Sequence, residues 1–335
     1  MRNVLITALP VPGPVVRVDV LAFSPTDFLE ETDVTIGRGR ELVEKFAVTW
    51  INIVDPDTRT LQELETLFGL HTLPLEDSIR PDTPPKVETY GDVLFAVTRT
   101  IIWGEQIETD QLSVFLAKKY LITIHDKIYP QLEDVRVRIR RRAPRILKAG
   151  PDYLCYTILD VLVDSYFPHL DRLEDIIQEI ERELIDEPRK VNIEKIHAIR
   201  TDLLLLRNAL RPQRDAFTTI TRLELPYFKK ETRNYLRDVY DHMIRTLDTL
   251  DTYREIVTSL MEVQTTLVSN QINQVIKVLT VIFTVTLPLT IITSAYGMNV
   301  SFPGFGTEIG FFLAIVLMAG TTAAMVWYMR KRFWI

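Results

Sequence analysis

A single cysteine, Cys155, rules out an internal disulfide and fits a reducing compartment, where it reads as a core residue rather than a nucleophile. The five histidines, His71, His125, His169, His197 and His242, are scattered without metal-ligand spacing, and no HExxH, Walker or nucleophile-elbow pattern occurs. Gly37 and Gly39 are followed by Arg40-Glu41-Leu42, so the third glycine of a dinucleotide fingerprint is missing and the pair is expected to serve a turn. These absences exclude the common enzyme classes, and the chain reads as a non-enzyme. Met1 to Arg17 lacks the charged start and apolar core of a signal peptide, so the large N-terminal part is expected to stay where it is made. Charge itself is missing from two long stretches. Val278 to Ala295 holds no ionisable residue and Ile309 to Met329 no charged one, while Val300 to Ile309 between them lacks Lys and Arg.

Each uncharged stretch approaches the roughly 20 residues that cross a bilayer's hydrocarbon core as a helix, so the pair is expected to form a membrane hairpin. Lys277 opens the first stretch and Arg330, Lys331 and Arg332 follow the second, which by the positive-inside rule puts both termini in the cytosol and the loop outside, in the cell membrane. Trp327, Tyr328, Phe333 and Trp334 suit an inner aromatic belt, and Tyr296, Phe302 and Phe305 an outer one. The 335 residues, with net charge -6 and 47% hydrophobic content, suit one soluble domain plus these two spans. Residues 1–274 are assigned to a cytosolic domain and 275–335 to a transmembrane domain. The spans fall at about 275–296 and 309–329, with an outer loop at 297–308 and a basic tail at 330–335.

Up to about residue 130 the pattern is α/β. β-branched and apolar runs at Val15 to Phe23, Val48 to Val54, Val93 to Trp103 and Leu112 to Ile124, the last interrupted by Lys118-Lys119, predict a mixed sheet. Thr60-Leu61-Gln62-Glu63 has capping-box spacing and opens a helix with Leu61, Leu64, Leu67 and Phe68 on one face. A second short helix, Leu73 to Ile79, stops before Pro81, Pro84 and Pro85. The period then turns helical from about 131 to 226. Leu132 to Leu147 carries Arg136, Arg138, Arg140, Arg141, Arg142 and Arg145, read as a solvated helix paired with acidic neighbours and not as a nucleic-acid site. Asp152 to Asp186 predicts an acidic amphipathic helix bent near Pro168; Pro188 and Asn192 separate it from a further helix, Ile193 to Leu210, whose run Leu203 to Leu206 is expected to be buried or at a contact between subunits, and Pro212 and Pro226 bracket a turn region. No proline then appears between Tyr227 and Pro288, so one helix of about 100 Å is expected to run from the cytosol to Asn299.

Along the first span Asn273, Ile276, Thr280, Phe283, Leu287, Thr290 and Ser294 recur at three- and four-residue steps and share a face, with Leu279 beside them. Two spans cannot enclose a hydrated path, whereas several copies can. The face reads either as an ordinary helix contact or, in an oligomer, as a pore wall with apolar constrictions at Ile276, Leu279 and Leu287 and oxygens from Asn273, Thr280 and Thr290.

The first span closes on Tyr296-Gly297-Met298-Asn299. A Gly-Met-Asn tripeptide there, with the hairpin, the short outer loop, the basic tail and a large acidic cytosolic part, resembles the CorA family of magnesium channels over nearly the whole chain. The resemblance implies an α+β cytosolic domain, a mixed sheet flanked by helices, leading through a very long helix into a two-helix transmembrane hairpin, assembled as a funnel-shaped homopentamer. It implies passive, potential-driven uptake of Mg²⁺, with Co²⁺ and Ni²⁺ as further candidates, and makes Gly297, Met298 and Asn299 the selectivity element. An amide ring suits this ion: Mg²⁺ sheds water reluctantly, and amide oxygens accept from its bound waters without trapping it. Gly297 would permit the tight turn that presents Asn299, and a simple helix cap by Gly and Asn is the plainer use of the same residues.

The resemblance also implies closure by cytosolic Mg²⁺ bridging acids of neighbouring subunits. The matching segments are Leu75-Glu76-Asp77 and Arg237-Asp238-Val239-Tyr240-Asp241, with Asp77 expected to face Asp238 of another copy, Glu76 nearby, and Glu262 a further acid closer to the membrane. Two departures stand out. The loop reads Val300-Ser301-Phe302-Pro303-Gly304-Phe305 where many relatives have Met-Pro-Glu-Leu, leaving Glu308 as its carboxylate, and Ser294 stands where relatives often carry glycine. A zinc transporter of the related ZntB type, disfavoured by an intact Met298, and a membrane-anchored ion sensor without transport are the alternatives. Expected partners are further copies of the chain, membrane lipid and the transported divalent cations, without nucleic acid.

Overall fold

The structure is a computed structural model that describes residues 16–104, 107–141, 146–147, 149–186, 192–222, 226–298 and 307–332. It divides into two compact units, Met1–Thr258 and Ser259–Ile335.

The first unit is built on a seven-stranded mixed sheet. Its strands are β1 (Arg17–Phe23), β2 (Phe28–Glu31), β3 (Val48–Val54), β4 (Lys86–Tyr90), β5 (Val93–Trp103), β6 (Ile107–Leu116) and β7 (Tyr120–His125), in the order β2-β1-β3-β7-β6-β5-β4. Only β3 and β7 pair in parallel, and Lys118-Lys119 turns the β6–β7 hairpin. Because side chains alternate across a strand, Val20, Ile51, Ile53, Phe95, Phe115 and Ile122 fall on one face, where they bury against Ile36, Leu42, Leu64 and Leu75. Those four come from α1 (Ile36–Lys45), α2 (Thr58–Phe68) and α3 (Thr72–Ile79), the helices that cover this face.

Alternation puts Asp19, Trp50, Asn52, Thr123 and His125 on the opposite face, where they are buried and polar. Trp50 Nε1 donates to Thr123 Oγ1 at 2.9 Å, Thr123 donates to Asn52 Oδ1 at 2.6 Å, and His125 Nε2 lies 2.9 Å from the same oxygen. Helices α4 (Pro130–Arg140) and α5 (Pro151–Asp164) lie on this side, followed by α6 (Phe167–Asp186), α7 (Ile193–Arg222) and α8 (Lys230–Tyr296).

Several expectations change. Gly37 and Gly39 form no turn but sit inside α1, and a Cβ on Gly39 would lie 2.9 Å from Ile51 Cδ1, so glycine lets the helix approach the sheet. The cap of α2 is Asp57, not Thr60: its carboxylate accepts from the Thr60 amide at 2.8 Å, and Glu63 pairs with Arg59 instead of closing a box. Arg136 is not solvated. It pairs with Asp19 at 2.8 Å, both side chains under 10% exposed, with its guanidinium over Trp50. Arg138 and Arg140 do meet acids, Asp160 and Glu30, while Arg142 and Arg145 lie outside the described residues.

The expected acidic helix is two, broken at Ser165-Tyr166 ahead of Pro168, because the Tyr166 hydroxyl is drawn into the core to donate to the Arg99 carbonyl. Pro212 does not end its helix, which continues to Arg222, since Phe217 and Ile220 beyond it are buried. Of the run Leu203 to Leu206, the first and last are buried and the middle two exposed, the one-sided burial a helix imposes. Pro188 is outside the described residues.

The last helix of the first unit, α8, runs 67 residues without a break and also supplies the first helix of the second unit, which adds α9 (Glu308–Lys331). Both helices contain apolar stretches long enough to span a membrane. None of that stretch is buried in α8 and 11% in α9, so neither is the core helix of a soluble fold.

Candidate functional site

The acids implicated at the sequence level stand on two helices, Glu76 and Asp77 on α3 and Asp238 and Glu262 on α8, the last within the stretch of α8 that belongs to the second unit. Glu76 and Asp77 end α3, a helix positioned by burying Leu75 and Pro74 against the sheet. Its last turn is clamped. The Asp77 carbonyl accepts from Gln111 Nε2 at 2.8 Å and from Thr83 Oγ1 at 3.0 Å, and Gln111 also reaches the Ser78 carbonyl. Arg99 Nη2 donates to the Pro81 and Thr83 carbonyls, fixing the proline segment that follows. The Asp77 side chain is 23% exposed and pairs with Lys86 Nζ at 2.8 Å; the same ammonium lies 2.8 Å from Glu88 Oε2 and over the Phe95 ring. Partial burial works against the Lys86 charge, yet the two carboxylates hold its pKa above the ordinary value.

Asp238 stands on α8, 66% exposed, and is not paired with Asp77 within the chain. Its neighbour is His242, whose Nε2 lies 4.0 Å away while Nδ1 lies 3.1 Å from Asp164 Oδ1 on α5. Asp160, a turn earlier, titrates above the usual carboxylate range, first because it is half buried and then because Asp164 lies close. Sequence reasoning missed Lys86, Asp164 and His242. A signal for His242 was present in its four-residue spacing from Asp238, which stacks the two on one helix face. Nothing local marks Lys86, which reaches Asp77 only because β4 runs beside α3.

Glu262 is an exposed residue of the second unit. Carboxylate oxygens are the donors Mg²⁺ takes, so the chemistry of all four acids fits that ion. Among the described residues of the single chain, no three His, Cys, Asp or Glu side chains gather to hold a metal.

In the second unit Ile276, Leu279 and Leu287 are 53%, 46% and 61% exposed. Thr280 Oγ1 donates to the Ile276 carbonyl at 2.8 Å and Thr290 Oγ1 to the Thr286 carbonyl at 2.9 Å, which spends each hydroxyl proton on the helix and leaves the oxygen as an acceptor. Asn273 and Ser294 are exposed on the same face. The Gly297 amide donates to the Thr293 carbonyl at 3.0 Å, closing the last turn of α8 without a left-handed backbone, and a Cβ there would lie 3.3 Å from that carbonyl, a tight contact. Met298 is 57% exposed, and Asn299 with the loop to 306 lies outside the described residues, as do Phe333 and Trp334. At the other end Trp327 and Tyr328 are exposed and Lys331 sits over the Trp327 ring, as an interfacial anchor would.

A large α+β unit joined to a second unit of two unburied, lipid-length apolar helices is the build of a membrane protein with a large water-soluble part. The chain belongs to the CorA family: the family profile for CorA-like Mg²⁺ transporter proteins matches residues 46–331. It is 34% identical over 324 residues to the cobalt/magnesium transport protein CorA of Thermotoga maritima, covering 95% of this chain and 92% of that one. It is 30% identical over 294 residues to the protein of the same name from Methanocaldococcus jannaschii, covering 87% and 93%. The complete structure of the CorA magnesium transporter from that archaeon superposes with a TM-score of 0.82 at 28% identity, covering 95% of this chain and 98% of its own. The family consists of ion transporters, not enzymes, and the expected α+β unit, long helix and C-terminal helix pair match that fold.

Proposed function

We propose that the chain is a divalent-cation channel of the cell membrane that admits Mg²⁺ down its electrochemical gradient and is closed by Mg²⁺ bound between subunits of a homopentamer. The observation that carries the reading is the first apolar helix. It is unburied along its span, presents an acceptor oxygen of Thr280 between the apolar side chains of Ile276 and Leu287 and another of Thr290 beyond Leu287, and leads directly into Gly297-Met298-Asn299. A hydrated Mg²⁺ offers water hydrogens outward, so a path for it needs acceptors and no fixed positive charge, which is what this face supplies. Several copies around an axis would cover the exposed apolar surface and bring one Asn299 from each to the outer mouth, with both termini in the cytosol.

Closure follows from the acids. A cation driven inward gains about 2.3 kcal/mol per charge per 100 mV, so a pore left open would load the cell toward the high internal concentration at which that energy is balanced. Glu76 and Asp238 are exposed and Asp77 is partly exposed beside Lys86, carboxylates suited to a site completed by a second copy. Carboxylates brought together without a metal repel, so Mg²⁺ loss would loosen that contact and favour the open pore. Glu262 would add a further cation contact nearer the membrane.

The test is Mg²⁺ influx into proteoliposomes holding an interior Mg²⁺ dye and an imposed inside-negative potential. Wild-type protein should pass Mg²⁺, Asn299→Ala should not, and the oligomer should survive the substitution. Absence of influx in the wild type, even with Asp238→Ala to relieve closure, would leave an anchored sensor. Influx of Zn²⁺ without Mg²⁺ would replace this reading with a zinc transporter.

A further inference from the structure

We propose that Lys86 is the resident counter-cation of the Asp77 site: its ammonium occupies the position a divalent ion would take and thereby sets how tightly that ion binds. The inference rests on the reading of Asp77 as a regulatory ligand.

Lys86 Nζ lies 2.8 Å from Asp77 Oδ2 and 2.8 Å from Glu88 Oε2, so two carboxylates from different elements already converge on one cationic centre. That is the arrangement a hard divalent ion seeks, with an ammonium in its place. The position is built, not incidental. Asp77 is held from behind by Gln111 and Thr83 through its carbonyl, and Lys86 is the first residue of β4, paired with Val97 in the sheet and stacked over Phe95 at 5.7 Å. The lysine head is the movable partner, a compact charge on a flexible stem. When a divalent cation arrives, the ammonium must swing away or remain as a repelling neighbour. Either way it raises the concentration of ion needed for occupancy, and in a low-Mg²⁺ cytosol it returns to keep Asp77 and Glu88 together. Lys86 therefore places the closure of the pore at a useful Mg²⁺ concentration.

The probe is MgCl₂ alone, titrated at constant ionic strength into the purified full-length protein in detergent, with Mg²⁺-dependent protection from trypsin and the thermal midpoint as readouts. Removing one positive charge about 5 Å from a doubly charged ion should lower the Mg²⁺ concentration for half-protection roughly tenfold in Lys86→Met and in Lys86→Gln. Lys86→Arg, which keeps the charge, should stay within about twofold of wild type. Half-protection at the same or higher Mg²⁺ in both neutral variants would overturn the proposal and leave Lys86 as a support for α3. Asp77→Asn separates the two levels of inference: it should abolish the response in wild-type and Lys86→Met backgrounds alike, and a response that survives it would remove Asp77 from the site whatever Lys86 does.

Discussion

Acidification should loosen the sheet at one identifiable residue. His125 ends β7 with 2% of its surface exposed, its ring stacked on Tyr129, Nε2 on Asn52 and Nδ1 facing the Lys127 carbonyl. Burial pushes its pKa from 6.5 down to about 4, and the nearby Arg136 guanidinium works in the same direction, against opposing contributions from the Lys127 carbonyl, Asp110 and Asp19. The folded state thus favours the neutral ring, the unfolded chain takes up a proton first, and stability is present above pH 6.5 and lost as pH falls toward 4. At 1.36 kcal/mol per pH unit the loss is about 2 kcal/mol by pH 5 and about 3 kcal/mol by pH 4. Amide hydrogen exchange in peptides covering β3 and β7, corrected for intrinsic pH dependence, reads this directly: protection should fall about thirtyfold between pH 7.5 and 5. In His125→Gln it should start lower and stay nearly flat over that range. Burial, with Asp110 close by, shifts Asp126 upward as well, and His125→Gln, which keeps Asp126, separates the two contributions. An equal fall in the variant, or none in wild type, would refute the assignment of the pH dependence to His125.

Two further outcomes follow from the packing and the proposed pore. Arg136→Met leaves Asp19 buried with Arg17 as its remaining partner at 3.0 Å, and should cost about 3 kcal/mol in a denaturant titration; adding Asp19→Asn should restore part of that loss, because the stranded charge is what destabilises. Leu287→Asn replaces an apolar ring of the proposed pore with a wettable one and should raise resting Mg²⁺ influx several-fold at unchanged oligomeric state, whereas an unchanged influx would remove Leu287 from the gate.

The boundaries of β3 and β5 were legible because Val, Ile, Trp and Phe dominate each run, and the membrane helices because the absence of charge over a lipid-length stretch has few other uses. The disruption of the acidic helix was legible in Pro168, which stands in the first turn of α6, although its extent, a full break with Tyr166 drawn against Arg99, was not. The passage of α7 through Pro212 was not legible, because burial of Phe217 and Ile220 overrode the local cue of that proline. The glycines of α1 were misread for a related reason: a close approach to Ile51 is a fact about the sheet, invisible in the helix's own residues. Sequence alone also could not distinguish a solvated arginine from Arg136, whose partner Asp19 lies more than a hundred residues away in the chain.

By itself the sequence determined the class of the protein: two charge-free spans, the tripeptide after the first, a basic end, and an acidic α/β part ahead of them. Composition and periodicity are local properties, and the bilayer reads them locally. Tertiary structure alone decided the electrostatic partners of the proposed site. Whether Asp77 is a bare carboxylate or one already holding a lysine depends on β4 bringing Lys86 to α3, and whether His242, which the helix itself stacks on Asp238, also meets Asp164 depends on α5 lying against α8. Charges act through space at a few ångströms, and the chain brings those ångströms together only when the sheet and its helices have formed.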